Sequence, residues 1–87
     1  MTPPDSITIV IKLFAAYQEA YQRDELTWHV PPNSTVSTLL DRCIADHPQL
    51  APWRDRTRFG INLEFVEPDT PLQDGDEVVL IPPVSGG

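Results

Sequence analysis

The sequence predicts a small α+β domain, and three observations carry that prediction. Residues 6–14 and 78–81 are apolar or β-branched at nearly every position, residues 25–30 alternate between apolar and polar, and residues 36–47 carry the spacing of one amphipathic helix. A strand apolar on both sides belongs in the middle of a sheet, covered on both faces. Placing the first and last strands side by side at the centre, with the helix across one face, accommodates every segment.

The elements follow in chain order. In residues 6–14, Ile7, Ile9, Ile11 and Leu13 share one face, while Val10 and Phe14 make the other partly apolar. Residues 15–23 are helix-prone but short and read as a turn-like connection. Leu26, Trp28 and Val30 point inward from the second strand, which Pro31-Pro32 stops. Asn33-Ser34-Thr35 offers a capping side chain for the helix, whose buried stripe is Val36, Leu39, Leu40, Cys43 and Ile44. His47 complements the helix dipole when charged, and Pro48 ends the helix.

Residues 48–58 form an irregular, proline-containing connection from which Leu50 and Trp53 cover the core. Residues 59–66 are extended, with Gly60 permitting a bulge or a close backbone approach. Pro68-Asp69-Thr70-Pro71 and Asp74-Gly75 are turns. The last strand runs to Ile81, because Pro82 and Pro83 have no N–H to donate to a ladder.

Composition limits the function. A chain of 87 residues makes one domain, and its single cysteine, Cys43, excludes an internal disulfide framework. No apolar run approaches the roughly 20 residues needed to span a bilayer, and the polar start, with no basic stretch, does not read as a secretory signal. A cytoplasmic protein is expected. The net charge is -7, and all six basic residues lie at or before Arg58. Beyond it stand only carboxylates, Glu64, Glu67, Asp69, Asp74, Asp76 and Glu77. Such a segment repels a phosphate backbone and attracts a basic protein surface, so neither nucleic acid nor membrane is an expected partner.

Side-chain chemistry is sparse. Cys43 sits in the apolar phase of the helix and reads as a small hydrophobe rather than a nucleophile. Cys43 and His47 are four apart, but no second pair joins them to hold a metal, and His29 lies on another strand. Ser85 has no base near it in sequence. Asp74-Gly75-Asp76-Glu77 has the acids of a calcium loop without its spacing. No metal, no bound cofactor and no activity of the chain alone are expected.

The terminus is different. Two of the four glycines are the last two residues, Gly86 and Gly87, a coincidence expected roughly once in 200 chains at ordinary glycine frequency. Before them comes Pro82-Pro83-Val84-Ser85, where two prolines stiffen the exit from the last strand. Residues 83–87 thus read as a protruding tail with a reach on the order of 16 Å. Gly86 and Gly87 can pass a channel too narrow for a Cβ. The Gly87 carboxylate, activated by adenylation and attacked by a sulfur nucleophile, would become a thiocarboxylate and a mobile sulfur donor.

Several motifs resemble the ThiS/MoaD sulfur-carrier family along nearly the whole chain. They are Ile11-Lys12-Leu13-Phe14-Ala15, Thr35-Val36 with Leu39-Leu40, His47-Pro48, Ile61-Asn62, and Asp69-Thr70 with Leu72. The specific ones are Asp74-Gly75-Asp76-Glu77-Val78 and the ending Ile81-Pro82-Pro83-Val84-Ser85-Gly86-Gly87, which favours the molybdopterin branch over the thiamine branch. The resemblance implies a β-grasp, ubiquitin-like fold, with a mixed sheet of four to five strands whose first and last strands are central and parallel. It implies that a MoeB-like enzyme adenylates Gly87 at the expense of ATP, and that a sulfurtransferase or desulfurase supplies sulfur. It further implies that residues 82–86 carry the thiocarboxylate into a MoaE-like large subunit, within a heterotetrameric molybdopterin synthase; the alternatives are a sulfur carrier for thiamine, tRNA thiolation or protein modification, and a non-catalytic ubiquitin-like interaction module. The sequence departs from the family at Leu63-Glu64-Phe65, which follows Asn62 where relatives often place a turn residue, in residues 48–58, and in a short extension over residues 1–5.

Overall fold

A computed structural model describes residues 6–83. The element order is β1 (Ile7–Leu13), α1 (Ala16–Tyr21), β2 (Glu25–Val30), α2 (Val36–Asp46), a 3-10 helix (Pro48–Arg56), β3 (Arg58–Ile61), β4 (Glu64–Val66) and β5 (Glu77–Ile81). The five strands form one sheet in the order β2-β1-β5-β3-β4. First and last strands are adjacent and parallel, with Ile11 opposite Val78 and Leu13 opposite Leu80. The other pairings are antiparallel. This is the β-grasp arrangement expected.

One face of the sheet holds the core. Ile9, Ile11, Leu13, Val78, Leu80 and Phe59 from the strands meet Val36, Leu39, Leu40 and Cys43 of α2, Tyr17 of α1 and Leu50 of the 3-10 helix. The expectation that β1 and β5 are covered on both faces is corrected. Every helix contributes to the same core, and Val10, Val79 and Ile81 on the opposite face are only half-buried. The strands are central because both edges are paired, not because both faces are covered.

Three local expectations also change. The turn-like connection contains a true helix, α1, whose Tyr17 is fully buried and hydrogen-bonded to Thr57 across the chain. The irregular connection is a 3-10 helix that runs through Pro52, tied at its end by Thr57 Oγ1 donating to the Trp53 carbonyl at 2.8 Å. At the start of α2, Thr35 occupies the N-cap position without a side-chain cap. The free N–H groups of the first turn are met instead by a distant loop, Val36 N–H donating to Thr70 O at 3.2 Å and Ser37 N–H to Pro68 O at 3.0 Å. Gly60 makes no bulge, since β3 pairs without interruption with β4 and β5.

A polar latch fixes the end of the sheet beside β5. Asn62 Nδ2 donates to Asp76 Oδ1 at 3.1 Å, and Glu77 N–H donates to Asn62 Oδ1 at 3.1 Å. Asn62 N–H donates to Glu77 O at 2.9 Å, while Asp76 Oδ2 accepts from Gln73 N–H at 2.8 Å. Asp76 is buried, and these bonds satisfy it. Gly75 takes φ 87 in the adjoining turn, a conformation that favours glycine.

Candidate functional site

The expected site lies at the end of β5. The ladder stops at Ile81 as the prolines require, with Pro82 buried and Pro83 half-buried at the margin of the domain. Val84, Ser85, Gly86 and Gly87 lie outside the described residues, so the tail is represented by its root. Beside that root runs a mainly apolar groove of about 480 Å³ walled by Phe14, Trp53, Ile81, Pro82 and Pro83.

The open face of the sheet has two unlike halves. Cross-strand register sets Glu25 opposite Lys12, Lys12 opposite Val79, Val79 opposite Gly60 and Gly60 opposite Phe65, one row across all five strands. On the β2–β1 half, Lys12 and Glu25 form an ion pair, and Thr8 Oγ1 meets His29 Nδ1 at 3.0 Å. The hydrogen bond to Glu25, more than any other influence, raises the pKa of Lys12. On the β5–β3–β4 half Val79, Ile81 and Phe65 surround bare Gly60, with exposed Arg58, opposite Ile81, and Glu77 at the margins. Phe65 is 72% exposed, Leu63 at the β3–β4 turn 93%, and Phe14 beside Ile81 51%. Large apolar side chains gathered this way on a small domain mark an interaction surface.

The sequence marks Leu63 and Phe65 as a departure from the family's turn and Phe14 as part of the first-strand motif, but does not mark the three as exposed. A signal existed: Asn62 just before a short alternation marks a two-residue hairpin turn, which puts Leu63 at its corner.

Among the described residues, the side chains with catalytic chemistry serve the fold; Ser85 lies outside them. Cys43 is buried in the core, and burial is the main cause that pushes its thiol up to about 11, away from the thiolate a nucleophile needs. Tyr21, raised chiefly by burial, donates to Asp46 Oδ2 at 3.0 Å, and its ring meets the His47 ring edge-on at 4.4 Å. His47 closes α2 through its backbone N–H to Cys43 O at 2.8 Å. Arg42 lies 4.0 Å over the Trp28 ring. His29 is engaged with Thr8 on the open face, the side of β2 opposite to that of its neighbour Trp28. Among the described residues no group of three potential ligands gathers to hold a metal, and no helix is long and apolar enough to cross a membrane.

Comparison with known proteins places this geometry. The ThiS family matches residues 11–87. The chain belongs to the ThiS family. A relative in it, the molybdopterin synthase sulfur carrier subunit of Chlamydomonas reinhardtii, is 37% identical over 81 residues, covering 91% of this chain and 98% of that one. The human protein of the same description is 46% identical over 64 residues, 70% of this chain and 73% of its own. Among solved structures, the small archaeal modifier protein 1 of H. volcanii superposes with a TM-score of 0.75 at 28% identity, covering 90% of this chain and 99% of that one. The ThiS-family assignment accounts for the parallel β1–β5 pair.

Proposed function

We propose that this chain is the sulfur-carrier subunit of a molybdopterin synthase and that its reacting group is the α-carboxylate of Gly87. The observation that carries the reading is near full-length similarity to molybdopterin synthase sulfur carrier subunits, 37% identity across 98% of one such protein. The described structure supports it in two ways: β5 delivers the chain to a two-proline exit, and the apolar half of the open face lies beside that exit.

The chemistry follows from the carboxylate. Its delocalised charge makes it a poor electrophile. Attack on the α-phosphate of ATP forms the acyl adenylate and releases pyrophosphate; a sulfur nucleophile then displaces AMP and leaves a thiocarboxylate. A MoeB-like enzyme performs the first step, and a sulfurtransferase or desulfurase supplies the sulfur. The thiocarboxylate enters the MoaE-like large subunit and gives its sulfur to cyclic pyranopterin monophosphate. Two sulfurs in the dithiolene require two deliveries. Catalysis belongs to the partners; this chain brings the terminal group and the surface by which they hold it. The apolar half, with Phe14, Phe65 and Ile81, is that surface, and Gly86 and Gly87 are the part that fits a narrow channel.

Resemblance to an archaeal modifier protein favours a second reading, in which the same activated terminus is passed to an amine on a target protein. A chain ending at Gly86 separates structure from chemistry. It should melt like the full chain and still bind the large subunit, yet yield no molybdopterin from the precursor. Normal molybdopterin formation by that truncated chain would end the proposal. Normal molybdoenzyme activity in cells lacking the full chain would favour the second reading.

A further inference from the structure

Leu63 is the residue whose position folding explains least. It occupies the second corner of the β3–β4 turn at φ 74, after Asn62 at φ 50. Both corners of such a turn are left-handed, and glycine is the favoured second residue because any Cβ is strained there. Leu63 is also 93% exposed, so its side chain gains almost nothing from the core. Strain and exposure are separate penalties, and the domain bears both at one position.

The turn itself is firmly held. The three bonds joining Asn62 to Asp76 and Glu77 clamp it against the start of β5. Leu63 is therefore presented in a fixed direction, which reduces the entropy lost when it is gripped. With Gly60, Phe65, Val79 and Ile81 it surrounds a shallow apolar depression of about 170 Å³, continuous with the docking half of the sheet. Glu64 stands beside it, and the exposed Arg58 lies at the far side, opposite Ile81. A Cβ on Gly60 would lie 3.4 Å from the Glu64 carbonyl oxygen and 3.8 Å from Val79 Cβ, ordinary contacts that leave the glycine unexplained by packing.

We propose that Leu63 is an anchor, inserting into an apolar pocket rimmed by Lys or Arg on the large subunit of molybdopterin synthase. The inference rests on the function proposed above and names a contact within it. Backbone strain persists where the surrounding structure holds it, here the Asn62 clamp, and strain held in this way gathers at functional surfaces. A long-lived subunit contact suits such an anchor better than a passing encounter, since permanent interfaces are the more apolar. Glu64, beside Leu63, calls for a basic group on the adjoining rim of the pocket.

The test uses the full-length chain, its Leu63→Gly, Leu63→Asn and Phe65→Ala variants, thermal melts, and calorimetric titration with the cognate large subunit. Leu63→Gly should raise Tm by about 4 °C through relief of strain and weaken binding about 10-fold or more, as loss of an interface anchor does. Leu63→Asn, whose side chain tolerates the left-handed region, should bind as poorly without losing stability. If both Leu63 variants bind normally while Phe65→Ala does not, the anchor is wrong and the docking face stands. If all three bind normally, both are wrong. A fall in Tm for both Leu63 variants would make the residue structural and also overturn the proposal.

Discussion

The row Glu25, Lys12, Val79, Gly60 and Phe65 crosses the whole sheet, and its two ends are built differently. At the β2–β1 end, exposed polar groups are paired within the chain, Lys12 with Glu25 and Thr8 with His29. At the β5–β4 end the same pleated surface carries Val79, a bare glycine and an exposed phenylalanine, with Leu63 strained above them. Both ends lie on one sheet over one core, so folding does not demand the difference. One half is finished by the chain itself; the other is the half that the proposed function gives to a partner.

Neighbours on β5 offer the sharpest way to break this comparison. Leu80 is fully buried on the core face and Ile81 half-buried on the open one. Leu80→Ala should remove about 3 kcal/mol of stability, as truncation in a tight core does. Ile81→Ala should lower stability by only about 1 kcal/mol while weakening partner binding. Denaturant melts with titration of the large subunit check both, and equal stability losses would erase the distinction between the faces.

Alkali should strike the covered face next. Burial raises Cys43 from an ordinary 9.0 to about 11, and it is also the leading cause that raises Tyr17 and Tyr21 above 10.0. Each group is easier to deprotonate in the unfolded chain, so its contribution is intact below the unfolded value and is lost as pH rises. Stability should fall from pH 9 toward 11 by up to about 1.4 kcal/mol per pH unit as Cys43 titrates, with smaller, solvent-screened losses from the tyrosines at higher pH. Melts at stepped pH measure this, and Cys43→Ala should remove the first part of the decline. A thiol reagent at neutral pH should label Cys43 only on unfolding.

The smallest effect belongs to the polar half. Breaking the exposed pair by Glu25→Gln should move Tm by less than about 2 °C and leave affinity for the large subunit unchanged. Loss of binding there would extend the docking surface across the whole row.

The same contrast governs what the sequence disclosed. Strand order and the main helix were legible because their signals are local: alternation in residues 25–30, the stripe from Val36 to Ile44, proline stops at both ends. What was misread depends on distant partners. Tyr17 is fixed by Thr57, and the first turn of α2 is met by carbonyls of residues 68 and 70. The second apolar side of β1 and β5 gave the correct central placement for a mistaken reason, since no helix covers it. That surplus of apolar residues forms the surface proposed to dock. The tail could be read only as sequence, because Val84 to Gly87 lie outside the described residues.

The central claim is that the α-carboxylate of Gly87 is the group the partners modify. Intact-mass analysis of the full chain after incubation with ATP, the adenylating enzyme and a sulfur source tests it directly. The account predicts a gain equal to exchange of one oxygen for one sulfur, located on the terminal residue and absent from a chain ending at Gly86. Molybdopterin formation by a chain whose terminus stays blocked throughout, with no such species present, would contradict it.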